Sequence, residues 1–346
     1  MNIRGDCLDA LQINKPGDIQ IIEVKDYDEP NNDEVIIKVK TAGICGSDLH
    51  IYNGSSGFAK YPNIIGHEIA GEVVQVGEDV SELKAGDKVA VNNVISCGTC
   101  FACKSGRSNV CRDVKVLGVH VDGGYREFLK VNQEKAYKVP HHIPWDHAAL
   151  VEPYSIAAQV LERGRLSEND SVLICGAGPI GLITLQAVKQ LDVKVAVLDI
   201  VDSRLQKAKE FGADLIINSK EVSVKDKIKE FTDNEGASLI IESTGSIAVL
   251  EDCVRDLASQ AGRIVVLGFS KEEAKISPYD IMRRELDIIG TRLNNEQFPT
   301  AIKWISEGVV NPEGIISHRY PYKEVKQAFD FTNDYPHKVL KIVLNF

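Results

Sequence analysis

The stretch VLICGAGPIGLI, residues 172–183, decides the fold. Four apolar residues run straight into Gly176, Gly178 and Gly181, and an apolar helical pattern follows. In a strand–turn–helix unit, the first glycine of GxGxxG permits the tight turn and the second lets a pyrophosphate approach the backbone. The third lets helix pack on strand. The helix N-terminus then meets the phosphates with unpaired N–H groups and the positive end of its dipole. Alone, such a motif is weak. Here its context is met, because a second apolar run, VKVAVLD (193–199), ends on Asp199, 18 residues past Gly181. A carboxylate there accepts adenosine ribose hydroxyls and repels a 2′-phosphate, so NAD is the expected coenzyme. Arg204 keeps NADP open, and a strand-capping aspartate is the plain reading of Asp199.

Outward from this unit, further apolar runs appear: DLIINS (214–219), SLIIEST (238–244) and GRIVVLGF (262–269), with LDIIGTR (286–292) as the sixth. Charged amphipathic segments follow most of them, KEVSVKDKIKE (220–230) reading as a solvated helix face, while GRIVVLGF leads into a loop. Near-continuous apolar strands separated by helices predict a doubly wound parallel sheet covered on both faces. The first third reads differently. EVIIKVKTAGI (34–44), GEVVQVGEDV (71–80) and DKVAVNN (87–93) alternate with period two between Gly, Asp and Asn. After Arg292 come a helical stretch (296–308), a strand-like run (314–322), a short helix (323–331) and a final strand, KVLKIVLNF (338–346). The expected organisation is therefore nested: a β-rich unit from residues 1–153 and 292–346, with an α/β unit from 154–291 inserted.

A chain of 346 residues suits two domains, and 44% hydrophobic content is ample for buried cores. Forty basic against fifty acidic residues give a net charge of −10, which speaks against nucleic acid and anionic membranes as partners. The first residues carry neither the basic nor the apolar region of a signal peptide. Residues 171–188 approach the length of a membrane span, but the glycine motif explains them better. The expected location is the cytoplasm.

Four of the eight cysteines, Cys97, Cys100, Cys103 and Cys111, fall within fifteen residues. Four thiolates on one short loop can close a tetrahedral shell, which suits a structural zinc. An iron–sulfur cluster is the rival, weakened by the long last gap and the missing Cys-Pro. Reduced core cysteines are the plain reading. A second set lies in GICGSDLHIYNGSSGFAKYPNIIGHEIAGEVV (43–74) and VEPYS (151–155): Cys45 and His67, 22 residues apart, with Glu68 or Glu152 as a third ligand. Three protein ligands and an open position are the pattern of a catalytic zinc. Taken singly, His67 caps a turn and Glu152 is an ion-pair partner.

GICGSDLH, GHEIAGEVVQVG, GDKVAV, the four-cysteine lobe, VEPYSIA and GAGPIG occur in this order, and with them the whole chain resembles the zinc-dependent medium-chain alcohol dehydrogenases. Glu152 in place of a cysteine makes it most similar to the polyol, threonine and sugar-acid branch. FAKYP, GVHVDGGYREF and TRLNNEQFP resemble the L-gulonate and L-galactonate 5-dehydrogenases. The resemblance implies a GroES-like catalytic domain with an inserted Rossmann domain, one catalytic and one structural zinc per chain, and NAD. It implies Cys45, His67 and Glu68 or Glu152 as catalytic-zinc ligands, with Ser47 and His50 in a proton relay. Coenzyme contacts fall on Gly176, Gly178, Pro179, Ile180, Gly181, Asp199, Arg204, Thr244, Leu267 and Arg292. The expected substrate is a sugar acid oxidised at C5, met by His120, Arg292 and Asn294, each of which also has a plain structural reading. A polyol or L-threonine is the alternative substrate. A zinc-free reductase and an inactive NAD-binding relative are the competing classes, and a homodimer or homotetramer is expected.

Overall fold

The computed structural model describes residues 8–25 and 29–346. Two compact units emerge: one runs to Ser155 and resumes at Asn294, and the other spans Ile156–Leu293. Both junctions lie two residues later than the expected ones. The first falls inside the helix Val151–Gly164, whose unbroken pattern gives no local signal of a boundary.

The inserted unit is a six-stranded sheet in the order Leu215–Asn218, Lys194–Asp199, Ser171–Cys175, Ala237–Glu242, Ala258–Val266, Asp287–Gly290. Every pairing is parallel. Numbered along the unit, this is 3-2-1-4-5-6, the doubly wound order whose chain reversal creates a crevice at the carboxyl ends of strands 1 and 4. The apolar runs are continuous because both sheet faces are covered; Val172, Leu173, Ile174, Leu239, Ile240 and Ile241 are at most 1% exposed.

The other unit is built on a seven-stranded sheet in the order Ala136–Lys138, Lys88–Val91, Glu68–Val76, Glu34–Ile44, Lys341–Asn345, Ile316–Pro321, with Phe128–Asn132 also paired to 34–44. The final strand pairs antiparallel with 34–44, so the two chain ends close one sheet. Val35, Ile37, Val39, Ile69, Val73, Val89 and Val91 fill the core on one side. Among the described residues, no helix is long and apolar enough to cross a membrane.

Candidate active site and metal centres

Strand register assembles the first site. Cys45 follows the strand Glu34–Ile44 and caps the helix Gly46–Tyr52. His67 precedes the strand Glu68–Val76, which pairs antiparallel with 34–44 so that Gly43 faces Glu68. On the opposite side of 34–44, Ile342 pairs with Ile44, which brings Lys341 level with Cys45. One ligand atom from each of Cys45, His67 and Glu68 lies within 4.8 Å of the others. Glu68 is 1% exposed. Its Oε1 accepts from Lys341 Nζ at 2.6 Å, and its Oε2 is buried with no protein partner. A buried carboxylate oxygen without a donor is costly unless something positive meets it. Beside a cysteine and a histidine, the Glu68 carboxylate fits a zinc ligand set.

Asp48, absent from the expected residues, organises this trio. It is fully buried. Its Oδ2 accepts from Cys45 N at 2.9 Å, and its Oδ1 lies 3.4 Å from His67 Nδ1. The contact to Nδ1 is an ion pair rather than a formed hydrogen bond. In metal sites a carboxylate beside one ring nitrogen orients the histidine and leaves the other nitrogen for the metal. That nitrogen, Nε2, is 3.4 Å from Ser47 Oγ. Burial works against a charged His67 ring, but Asp48 and Cys45 outweigh it and hold its pKa well above the ordinary histidine value. The Tyr125 hydroxyl braces the arrangement, 2.8 Å from Gly43 O and 3.3 Å from Asp48 Oδ2. Gly66 makes room for that ring, since a Cβ there would stand 1.9 Å from it. The one local signal for Asp48 was its place three residues after the helix cap, where an acidic side chain bonds back to the cap amide.

Glu152 stands in the first turn of the helix Val151–Gly164, 5% exposed, and its Oε1 accepts from Asn93 Nδ2 at 2.9 Å. Burial pushes its carboxyl up to about 7; Glu68 adds to the rise, while His67, Asn93 and Lys341 oppose it. Thus Glu68 clusters with Cys45 and His67, and Glu152 is held by Asn93. His50 is exposed and turns its Nδ1 to Ser55 Oγ at 2.8 Å. His120 accepts from Val116 N through Nδ1 at 3.1 Å, its ring tilted against Phe58 with centroids 6.0 Å apart. Asn294 is buried, donating to Asn92 Oδ1 at 3.4 Å while its own Oδ1 lacks a protein partner.

Cys97, Cys100, Cys103 and Cys111 converge, with all four sulfurs within 4.8 Å of one another. Cys100 Sγ is 3.6 Å from Cys103 Sγ and 3.9 Å from Cys111 Sγ. A tetrahedron with zinc–sulfur bonds of about 2.3 Å has edges of about 3.8 Å, so the lobe fits the ion as it stands. Backbone amides of Cys97 and Asp113 each lie 3.3 Å from Cys111 Sγ. Hydrogen bonds from Thr99, with others from Cys100 and Cys111, lower the Cys97 thiol to about 6, whereas burial and the neighbouring thiols raise Cys103 to about 11.

In the inserted unit, Gly176 has φ +101°, and a Cβ on Gly181 would stand 1.9 Å from Gly176 O. Nothing lies within 4 Å of a Cβ on Gly178, which caps the helix Pro179–Val188. The first and third glycines are thus required by packing, and the second faces an open cradle. Asp199 binds the same turn: Oδ2 accepts from Ala177 N at 2.7 Å, and Oδ1 from Ile200 N and Val201 N at 2.7 and 2.9 Å. Arg204 lies in the first turn of the helix Asp202–Glu210. Thr244 and Leu267 follow the fourth and fifth strands of this sheet, and exposed Arg292 follows the sixth. Pro179 and Ile180 open the helix beside the cradle.

Residues 31–141 match the alcohol dehydrogenase GroES-like domain, and residues 179–307 match the zinc-binding dehydrogenase family. The chain is 42% identical to the starvation-sensing protein RspB of Escherichia coli, covering 97% of this chain and 99% of that one. It is 33% identical to the sorbitol dehydrogenase of Bacillus subtilis, covering 93% of each chain. Identity to the L-galactonate-5-dehydrogenase of Escherichia coli is 32%, covering 92% and 93%. A crystal structure of RspB from Escherichia coli CFT073, complexed with cofactor NADH, superposes with a TM-score of 0.93 at 39% identity, covering 99% and 100%.

Proposed function

The chain belongs to the zinc-binding alcohol dehydrogenases, oxidoreductases acting on CH–OH groups with NAD, and we propose that its substrate is a sugar acid oxidised at a secondary hydroxyl, C5 of an L-hexonate such as L-gulonate or L-galactonate. Cys45, His67 and Glu68 would hold the catalytic zinc, with Glu152 as the carboxylate behind it, and the four-cysteine lobe the structural zinc. When bound, the catalytic zinc supplies Lewis-acid polarisation of the substrate hydroxyl and NAD supplies the hydride acceptor.

The chain's own residues do the rest. Asp48 fixes the His67 ring so that Nε2 faces Ser47. Ser47 accepts the hydroxyl proton while handing on its own, through ribose or water, to exposed His50, one helical turn on and held by Ser55, which releases a proton to solvent. Gly178 and the helix it caps receive the pyrophosphate, and Asp199 favours NAD over NADP. The observation that carries the catalytic reading is the convergence of Cys45, His67 and buried Glu68, each with one ligand atom within 4.8 Å of the others, on a carboxylate whose Oε2 has no protein partner.

For the substrate, exposed Arg292 offers a cation to a carboxylate, and the resemblance to an L-galactonate-5-dehydrogenase supports a hexonate. Arg292→Ala should then raise KM for the acid far more than for the matching neutral polyol, since a polar site discriminates most against substrates that leave its groups unpaired. Equal losses on both, or faster wild-type oxidation of sorbitol or threonine than of any hexonate, would remove sugar acids from the proposal. A neutral polyol is the second reading, supported by the similarity to sorbitol dehydrogenase.

The strand Asp287–Gly290 is an open edge of the parallel sheet, and Ile288 on it is 40% exposed. An uncovered edge invites pairing, which supports a homodimer joined along it. Ile288→Arg should reduce the mass measured by light scattering to that of one chain; an unchanged mass would place the interface elsewhere.

A further inference from the structure

We propose that Glu242 is a positioning residue, presetting the loops 243–246 and 267–269 against which the coenzyme docks. The proposal rests on the dehydrogenase reading above. Glu242 ends the strand Ala237–Glu242, in register between Cys175 and Val266. It therefore sits at the carboxyl edge of the sheet, beside the point where strand order reverses and where ligands of such sheets bind.

The residue is 1% exposed. Its Oε1 accepts from Thr244 N at 2.7 Å, from Gly245 N at 3.1 Å and from the Thr244 hydroxyl. Its backbone carbonyl accepts from Leu267 N and Gly268 N, both at 2.9 Å. The carboxylate thus folds its own loop back, while the carbonyl pins the next loop. A charge-assisted cluster of three donors on one oxygen is strong and directional.

Two further contacts tie this unit to its surroundings. A Cβ on Gly268 would stand 2.2 Å from Gly245 N and 2.5 Å from Glu242 Oε2, so the two loops touch backbone to backbone around the carboxylate. Ser243 donates through N and Oγ to Cys175 O at 3.0 and 2.7 Å, and its Oγ lies 2.9 Å from the place of a Cβ on Gly176. The glycine turn and both loops therefore lean on one short segment, ESTG (242–245). Merely closing a strand needs no buried carboxylate. Fixing loops before a ligand arrives lowers the ordering cost of binding.

The test is NADH binding, followed by fluorescence on zinc-loaded protein, together with amide hydrogen exchange on coenzyme-free protein. Glu242→Ala should weaken NADH roughly 10- to 100-fold and speed exchange at Thr244 and Gly245, whose amides lose their acceptor, while strand 171–175 stays protected. Glu242→Gln retains an acceptor oxygen and should restore most of the affinity. Gly268→Ala keeps the carboxylate but forces the loops apart, so it should lose affinity comparably, and it serves if Glu242→Ala does not fold. A purely structural role would lower the unfolding midpoint and leave the NADH Kd unmoved; that result, or unchanged exchange at both amides, overturns the proposal. A wild type that binds no NADH overturns the dehydrogenase reading and the coenzyme role of Glu242 with it. A binding wild type with an unaffected variant overturns the role of Glu242 alone.

Discussion

Lys341, five residues from the end of the sequence, donates to Glu68 at 2.6 Å in the interior, across 273 residues of chain. Lys341 also donates to Ile44 O at 3.1 Å, so the last strand delivers its cation directly behind the Cys45 site. Burial works against the charged Lys341, but Glu68 and then Cys45 outweigh it and raise its pKa. The pair leaves Glu68 Oε2 without a protein partner, in a residue that has a carboxylate oxygen within ligand reach of Cys45 and His67.

Removing Lys341 should therefore be costly. Lys341→Met leaves a buried carboxylate without its partner, a change worth about 3–5 kcal/mol. Denaturant unfolding of the metal-free protein measures it, where no bound cation stands in for Lys341. Lys341→Met combined with Glu68→Gln should recover much of the loss, because the uncompensated charge is gone. Equal destabilisation by the single and double variants would contradict the pairing.

Glu152 gives a pH signature in metal-free protein. Its folded-state pKa of about 7 lies above the carboxyl's ordinary 4.5, so the folded chain holds the proton longer than the unfolded one. This contribution to stability is full below about pH 4.5 and is lost as pH rises through 7, with roughly 3 kcal/mol as its ceiling. Unfolding midpoints across pH 4.5–8 should show the decline, and Glu152→Gln should flatten it. A slope unaltered by that substitution would show that other groups carry it.

The four-cysteine lobe should contribute to folding rather than to chemistry. Cys100→Ser is expected to lose one zinc per chain and to lower the unfolding midpoint, since structural metal binding is part of the folding free energy. Metal analysis beside thermal unfolding checks both. Iron in place of zinc, or an unchanged midpoint, would count against this assignment.

Asp199→Ser should raise KM for NAD and improve use of NADP, because the carboxylate that repels a 2′-phosphate is gone. It should also lower stability modestly, since three backbone amides lose their acceptor. A wild type preferring NADP would contradict the role given to Asp199.

What the sequence made legible was local. The GxGxxG turn, the apolar runs and the four-cysteine spacing are each set within a few residues, where backbone sterics and ligand geometry act directly. The strand Glu34–Ile44 follows from such a short-range pattern, whereas the helix Phe101–Lys104 stands where a loop was expected. The partners of the site were not legible. Lys341 meets Glu68 across 273 residues, Asn93 meets Glu152 across 59, and Tyr125 reaches Asp48 across 77. Sheet register fixes such pairs, and no local pattern encodes it. Asp48 was hidden differently: inside GSDLH its role depends on burial and on the long-range contacts to His67 and Tyr125, which the local sequence does not encode.

The central claim is that Cys45, His67 and Glu68 hold a catalytic metal separate from the lobe, and zinc content measured beside NADH formation tests it most directly. Wild type should carry two zinc ions per chain and reduce NAD with L-gulonate or L-galactonate. Cys45→Ser should carry one, keep the unfolding behaviour of a folded protein and form no NADH. A Cys45→Ser protein that retains two zinc ions per chain and wild-type turnover would contradict the account.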